Sequence, residues 1–344
     1  LLPHFEKMLY DNAQLARVYV GAYEISGDDN YRKAVADIYR WLEREMTSPQ
    51  GAFYSALDSG EVGEEGESYI WSNAQLQTAL GEKDAALFAE VYEFEPEGNF
   101  NEESTGKRTG KNIPHLKQSL ENTARAKNLP PNEFVLQIDG LQEKLLAHRL
   151  TWPQPRRDDK VLVSWNALMI DALAYAGRVL DEPEYIAAAS RAGNFIFERM
   201  VRDNQLLRSF RADVAKQPAY LDDYAYLCLA ATELHRATDD VQWLDRATWL
   251  ADVLLSDFED PSVGGFFYTG NNYEPLLTRS KALGGGGNLP NANGVAAIAL
   301  MRISDQTGDE KYAGAAERVI RSLAGIAVAQ PHTNEHVLIC LLYT

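Results

Sequence analysis

The segment Pro3-His4-Phe5-Glu6-Lys7-Met8-Leu9-Tyr10-Asp11-Asn12-Ala13-Gln14-Leu15 packs a histidine, acids, a lysine, a tyrosine and an asparagine into one turn-and-helix. A helix selected for stability alone separates a polar face from an apolar one. Here His4, Met8, Asp11 and Leu15 share one stripe at three- and four-residue spacing, and the two kinds of group are mixed. That is the pattern of a helix lining a polar cavity. Glycoside hydrolysis would need two carboxyls facing each other across a sugar, about 5 Å apart for retention and about 6.5–9.5 Å for inversion. The acids that could serve are Asp11, Asp58 and the pair Asp222-Asp223. Asp222-Asp223 follows a loop and precedes a helix, so one of the two also reads as an N-cap. Asp11, inside a helix, reads equally as a lining residue or an exposed one. Sugar epimerisation instead needs a base and an acid tuned near neutrality, most naturally histidines. His4 and His115 stand at loop–helix junctions, where a capping or loop-fixing bond is the alternative role.

Substrate contacts are expected beside these groups. Trp165-Asn166, after the charged run Arg156-Arg157-Asp158-Asp159-Lys160, offers an aromatic platform with an amide next to it. Arg279 and Asn293 would read hydroxyls from other loops, Tyr224 and Trp71 would wall the site, and Glu6, Tyr10 and Asp58 would border it. The competing reading makes Trp165 core and Asn166 a helix cap. The acidic stretch Asp58, Glu61, Glu64, Glu65 and Glu67 fits no EF-hand spacing, and solvated glutamates are its simpler explanation. Gly284 to Gly287 lacks both the preceding strand and the Gly-Lys-Ser/Thr ending of a phosphate loop. No metal or cofactor is expected.

These groups need elements to position them. The chain has 344 residues, 45% of them hydrophobic, and a formal net charge of −17. The acidic balance argues against nucleic acid and against anionic membranes. No apolar run approaches the roughly 18–20 residues of a membrane span, and no signal-peptide pattern occurs. A cytoplasmic protein is the expectation. Cys228 and Cys340 lie far apart in apolar contexts and read as core residues.

A phrase beginning the second helix of a pair recurs along the chain. It reads Asp28-Asp29-Asn30-Tyr31, then Asp181-Glu182-Pro183-Glu184-Tyr185, then Asp239-Asp240-Val241-Gln242-Trp243, then Gly308-Asp309-Glu310-Lys311-Tyr312. Acids cap the helix start, an aromatic packs, and following alanines allow close approach. Each phrase follows a helix of small and aliphatic residues: Asn12 to Ser26, Trp165 to Leu180, Tyr224 to Thr238 and Val295 to Thr307. Gly51-Ala52-Phe53-Tyr54 and Gly264-Gly265-Phe266-Phe267-Tyr268 read as short β-hairpins, and Gly81 to Tyr92 as a degenerate repeat. Repeated helix pairs build an open solenoid or a closed toroid. Long polar connections, from Ser55 to Tyr69, Glu95 to Pro114, Arg202 to Leu221 and Asp260 to Pro290, favour the toroid, with function on its loops. No linker divides the chain, so one domain over 1–344 is expected.

The motifs Pro3-His4-Phe5-Glu6-Lys7-Met8-Leu9-Tyr10-Asp11, Tyr54-Ser55-Ala56, Gly66 through Tyr69-Ile70-Trp71 and Gly98-Asn99-Phe100 with Gly110-Lys111-Asn112-Ile113 run in a recognisable order. They continue through Asp159-Lys160-Val161-Leu162, Ser164-Trp165-Asn166, Leu221-Asp222-Asp223-Tyr224-Ala225, Gly264-Gly265-Phe266-Phe267 and Pro290-Asn291-Ala292-Asn293. Together they resemble the thioredoxin-domain-containing family that includes spermatogenesis-associated protein 20 and its bacterial relatives. The resemblance implies an all-α (α/α)6 toroid of the six-hairpin glycosidase type, with incomplete first and last hairpins here and a thioredoxin-like domain upstream. It implies a carbohydrate-active enzyme, hydrolase-like or epimerase-like, with a saccharide in a central funnel. Asp11 and Asp222 or Asp223 would act as acid and base, and His4 would transfer or orient a proton. A non-catalytic ligand- or protein-binding domain, working with the thioredoxin-like domain, is the alternative. The chain departs from the family at Asp58-Ser59-Gly60, where a second acid is lost, and at Gly284 to Gly287, where relatives carry Asp-Gly-Ala. An insertion of about 101–109 splits the Gly-Asn-Phe element.

Overall fold

The computed structural model describes residues 3–60, 65–101, 105–274, 278–281 and 288–341. They divide into two compact units, a smaller one of residues 1–7 and 57–157 and a larger one of residues 8–56 and 158–344. The larger unit opens with α1 (Leu9–Ser26) and α2 (Asp29–Trp41). The smaller holds α3 (Asn73–Leu80), α4 (Glu82–Val91), α5 (Leu120–Ala126) and α6 (Pro131–Arg149). The larger then resumes with α7 (Val163–Leu180), α8 (Pro183–Arg199), α9 (Leu221–Thr238) and α10 (Val241–Val253). It ends with α11 (Ala292–Thr307), α12 (Glu310–Ala329) and α13 (Glu335–Leu341).

In the larger unit α1 packs on α7, α7 on α9, α9 on α11, and α11 on α13. Each of α2, α8, α10 and α12 backs the helix that precedes it. An inner row faced by an outer row is the (α/α) toroid architecture. The rows differ as their sequences require: α9 buries 14 of its 18 residues, whereas the outer helices carry a polar face. The degenerate repeat Gly81 to Tyr92 lies in the smaller unit. Its apolar residues Ala85, Phe88 and Val91 join Phe134, Ile138 and Leu141 in the core of the smaller unit.

The recurring phrase has one local cause. Gly27, Asp181, Asp239 and Gly308 each end an inner helix in the left-handed region, at φ of 67°, 58°, 55° and 73°. Glycine and aspartate tolerate that conformation best. The next residue then starts the outer helix. The carboxylates of Asp28, Asp240 and Asp309 accept the backbone N–H two residues on, at 2.9, 3.0 and 3.0 Å. Glu182 makes no such cap, and α8 instead begins on Pro183, whose fixed φ suits the first helical position.

The Gly-aromatic turns form minimal hairpins, each closed by one antiparallel bridge. α2 and α10 each end in a π-type turn, Leu42–Met46 and Leu254–Phe258, followed by a single bridge, Thr47 to Phe53 and Glu259 to Phe266. A true sheet stands before α9: β1 (Val161–Leu162), β2 (Val201–Arg202), β3 (Gln205–Arg211) and β4 (Val214–Pro218). All three partners pair antiparallel with β3, Val161 facing Phe210 and Lys216 facing Ser209.

The inner row is also joined by buried charge. Glu233 on α9 has no solvent exposure. It accepts bonds from Arg178 of α7 at 3.2 and 3.1 Å, from Arg302 of α11 at 2.9 Å and from Arg236 at 3.1 Å. Arg17 of α1 meets Asp171 of α7 at 3.0 Å. Burial pushes the Glu233 carboxyl up, but Arg302, Arg17 and the other guanidinium groups outweigh it and hold it below the usual carboxylate range. Its stabilisation is therefore present above the unfolded carboxylate pKa and lost as pH falls through the lower folded value. Glu233→Gln, which leaves the arginines without their counter-charge, should cost about 3–5 kcal/mol at pH 7 in urea unfolding, with the difference narrowing in acid. An unchanged midpoint at pH 7 would remove the hub from any account of stability.

Candidate functional site

The N-terminal turns of the inner helices carry the polar residues of the larger unit. Ahead of α9, β3 delivers Arg208 and the chain turns at Tyr220. Arg208 Nη1 donates to Asp222 at 3.0 Å and to Asp223 at 2.7 Å, and its Nη2 reaches Asp222 at 3.3 Å. Asp223, with no exposure, also accepts the N–H of Ser164 at 3.0 Å and that of Tyr220 at 2.9 Å. The start of α9 adds its own positive dipole end. Burial first, then the charge of Asp222, pushes the Asp223 carboxyl up to about 7, while Arg208 and the two amides pull against them. Burial opposes charge on Arg208 as well, but Asp223 and Asp222 outweigh it and hold the guanidinium above its ordinary pKa.

Tyrosines surround this pair. Tyr220 stacks on Tyr268 at 5.1 Å and lies 5.8 Å from Tyr273, with the Arg208 guanidinium 5.0 Å from the Tyr220 ring. Burial and the Asp222 charge push the Tyr268 phenol up to about 12. Tyr226 is buried and donates to the Pro290 carbonyl at 2.5 Å. The structure thus adds Arg208, Tyr220, Tyr268 and Tyr273 to the residues singled out from sequence. Arg208 had no signal beyond a cation in an alternating strand.

The other candidates separate into groups. At the starts of α1 and α7, Tyr10 meets half-buried Trp165 edge-to-face at 4.7 Å, and Asp11 is half-buried beside Tyr10. Asn166 and Asn293 are fully buried and hold backbone. Asn166 Oδ1 accepts Phe53 N–H at 2.8 Å, and its Nδ2 donates to Phe53 O at 2.9 Å and Leu162 O at 3.0 Å. Asn293 makes the same pair of bonds to Phe266, at 2.6 and 3.1 Å, and a third to Lys281 O at 3.0 Å. Their amides clamp the Gly-aromatic turns, and a bound sugar would have to break those bonds to use them. Tyr224 Oη accepts Leu206 N–H at 3.1 Å in a similar role. Arg279 lies 4.2 Å from the Phe267 ring and donates to Asn271 and Thr269 O within its own loop and to Asp257 O in the turn that ends α10.

His4, Glu6, Asp58, Trp71 and His115 belong to the smaller unit. His4 and Glu6 are exposed and 3.6 Å apart. Asp58 accepts the next backbone N–H, from Ser59, at 2.7 Å, and His115 meets Glu93 at 2.9 Å on the surface. Trp71 is core, 4.5 Å from Trp152. A cavity of about 300 Å³ in this unit is walled by Trp152 and lined by Lys111, Gln75, Glu67 and Ser68; none of the candidate catalytic or substrate-contact residues lines it. Glu61, Glu64 and Gly284 to Gly287 lie outside the described residues. Among the described residues no group of three or more His, Cys, Asp or Glu could hold a metal, and no helix is long and apolar enough to cross a membrane.

No protein-family model matches the chain. It is 30% identical over 338 residues to spermatogenesis-associated protein 20 of Mus musculus, and equally to that of Homo sapiens. The match covers 90% of this chain and 43% of each relative, so the chain spans less than half the length of the curated relatives it matches. The resemblance carried by the ordered motifs is thereby borne out. Among solved structures, a sugar epimerase from a ruminal bacterium aligns with 96% of this chain and 64% of its own at a TM-score of 0.58 and 13% identity. A GH76 α-mannanase of Bacteroides thetaiotaomicron aligns with 98% of this chain and 68% of its own at 0.56 and 11%. The cellobiose 2-epimerase of Bacillus thermoamylovorans aligns with 92% and 61% at 0.55 and 13%. These likenesses establish the (α/α)6 toroid fold.

The carboxyl pair has a pH signature. With a folded pKa near 7 against about 3.9 unfolded, Asp223 contributes stability below the unfolded value and loses it as pH rises through 7. Removing the guanidinium raises the carboxyl further. Arg208→Ala should therefore cost about 3–5 kcal/mol at pH 8 and clearly less at pH 5. Equal losses in chemical unfolding at the two pH values would show that Asp223 does not titrate in this range.

Proposed function

We propose that the larger unit is the core of a carbohydrate-active enzyme whose saccharide sits at the N-terminal ends of α1, α7 and α9. The observation that carries this reading is Asp223, a fully buried carboxyl with its pKa raised to about 7, one residue from Asp222 and sharing its guanidinium. A carboxyl that titrates near neutrality can both take and return a proton at working pH. Asp222 and Asp223 are adjacent and held by one arginine, so they act as one side of a site and not as two carboxyls across a glycosidic bond. In this reading Asp223 is the proton-transfer group, Asp222 and Arg208 set its charge, and Asp11, at the start of α1, is the second acid. Tyr10, Trp165, Tyr220 and Tyr268 supply aromatic faces on which the C–H face of a sugar can stack. The aligned toroids include sugar epimerases and a GH76 α-mannanase, and their shared fold is compatible with either reaction.

A second reading has its own support. Arg208 engages both carboxylates at 2.7–3.3 Å, which is also how a structural ion cluster is built. On that reading the chain is a non-catalytic binding domain that works with a thioredoxin-like domain.

A melting-temperature screen against neutral mono- and disaccharides separates the two. The catalytic reading expects a sugar that stabilises the wild type by a few degrees, an effect lost in Asp223→Asn and weakened in Asp11→Asn, both folded. Absence of any shift with wild type, across the panel, would leave the binding-domain reading standing alone.

A further inference from the structure

The cavity of about 300 Å³ in the smaller unit is built from residues that the saccharide site proposed above does not use. Lys111 stands in Gly110-Lys111-Asn112-Ile113 and Ser68 in the run Gly66 to Trp71, two of the ordered motifs. Backbone pairing fixes Lys111 in place. Trp71 and Asn112 exchange N–H to O bonds at 2.9 and 2.7 Å, and Lys111 O accepts the Phe100 N–H at 3.0 Å. The lack of a side chain at Gly98 lets Lys111 lie there, since a Cβ would stand 2.5 Å from Lys111 O. The segment 152–156 is equally set. Ser68 Oγ donates to Pro153 O at 3.0 Å, and Gln154 Nε2 donates to Arg149 O and Trp152 O, both at 2.9 Å. The Trp152 ring itself lies 4.5 Å from Trp71 and 6.0 Å from His148.

The cavity presents donors that lack acceptors. Half-buried Lys111 has, among the described residues, one hydrogen-bond partner, the neutral Oε1 of Gln75 at 3.1 Å, and no carboxylate. That oxygen also accepts the Ser72 N–H at 2.9 Å and the Ser72 hydroxyl at 3.0 Å, which fixes the orientation of the amide. Gln75 Nε2 is left with its hydrogens unused among the described residues. An ammonium half out of water and met by a neutral oxygen is short of counter-charge, and an anion supplies it. Arg156 adds a second cation to the lining, against one acid, the exposed Glu67. In a chain of net charge −17, two cations to one acid among the described lining residues is a local reversal of sign. Trp152 lines the same space with an indole ring, on which a flat or C–H-rich body packs. The volume is at the lower end for ligand sites and suits a molecule of monosaccharide size.

We propose that this cavity is a second ligand site, for a small organic anion of monosaccharide size that carries one carboxylate or phosphate group. Lys111 Nζ and Gln75 Nε2 take the anionic oxygens, Arg156 adds attraction, and the body of the ligand rests on Trp152. The two sites differ in sign, because Asp11, Asp222 and Asp223 outnumber Arg208 at the starts of α1 and α9 and disfavour an anion there.

The test is isothermal titration calorimetry of residues 1–344 with glucose 6-phosphate and with glucuronate. The proposal expects at least one of them to bind with a Kd below about 1 mM, and which one binds tells a phosphate head from a carboxylate. Lys111→Met keeps the stem and loses the charge, and Gln75→Glu keeps Oε1 and loses the donors. Each should weaken the bound anion at least about tenfold, whereas Asp223→Asn should leave its affinity unchanged. Should Gln75→Glu fail to fold, Lys111→Met decides. Binding of neither anion by the wild type overturns the proposal, as does an affinity that folded Lys111→Met leaves unchanged. So does displacement of the bound anion by an equal concentration of glucose, which would show that charge is not what the cavity reads. Loss of binding in folded Asp223→Asn would assign the anion to the start of α9 and overturn the proposal as well.

Discussion

A carboxylate with no access to water sits in the middle of the inner helical row, and the packing around it has to satisfy that charge. α7, α9 and α11 meet through alanines and small aliphatic residues, a surface smooth enough to slide or rotate with little penalty. Glu233 removes that freedom. Its two oxygens take bonds from Arg178, Arg236 and Arg302 on three helices. Turning α9 by one residue would withdraw the acid and leave buried guanidinium groups facing apolar neighbours, an outcome that costs several kcal/mol. Arg17 and Asp171 extend the same constraint to α1. The rotational setting of the inner helices, and so the placing of their first turns, follows from where these charges must meet.

Glu233 and Asp223 lie on the same helix, both with no exposure, yet their acidities are driven in opposite directions. Burial acts on both alike. Glu233 is surrounded by several guanidinium groups, and their summed attraction exceeds the desolvation. Asp223 has one, shared with a second carboxylate whose charge repels its own, and desolvation wins despite two backbone N–H donors. The ratio of cations to acids, and not depth, separates a carboxylate fixed as an anion from one able to exchange a proton near neutrality. This is why the mouth of α9, and not its buried middle, is the place to look for chemistry.

Much of the fold was written in the sequence because its signals are local. The left-handed residue and the capping aspartate at each hairpin tip need only neighbouring atoms, and Gly27-Asp28, Asp239-Asp240 and Gly308-Asp309 announce them directly. The inner helices emerged as small-residue runs within a few residues of their observed starts. What escaped was non-local. Nothing near residue 166 or 293 says that an amide will reach back to a turn more than a hundred, or nearly thirty, residues away; an Asn beside a Trp reads as a sugar contact until the fold supplies Phe53. Gly81 to Tyr92 has the helix-pair look of the repeat, and only its choice of core partners sets it in the smaller unit. Arg208 belongs to a strand with no motif, and its importance arises when β3 lays it across the start of α9.

The repeat also explains how a site can exist on a scaffold so regular. In α7, α9 and α11 the third position of the first turn holds the backbone of another segment, and it is filled by Asn or by Tyr224. At the two positions before it the repeats diverge: Tyr10-Asp11, Ser164-Trp165, Asp222-Asp223, Asn291-Ala292. Asn291 still serves the scaffold, capping α11 and accepting the amides of Asn293 and Gly294. The pairs on α1, α7 and α9 bring two aromatic rings and three acids to the same end of neighbouring helices. A protein of repeated hairpins has no single element that must become an active site. The acids Asp11, Asp222 and Asp223 fall at the positions where the repeats differ, beside the residue that keeps the local geometry.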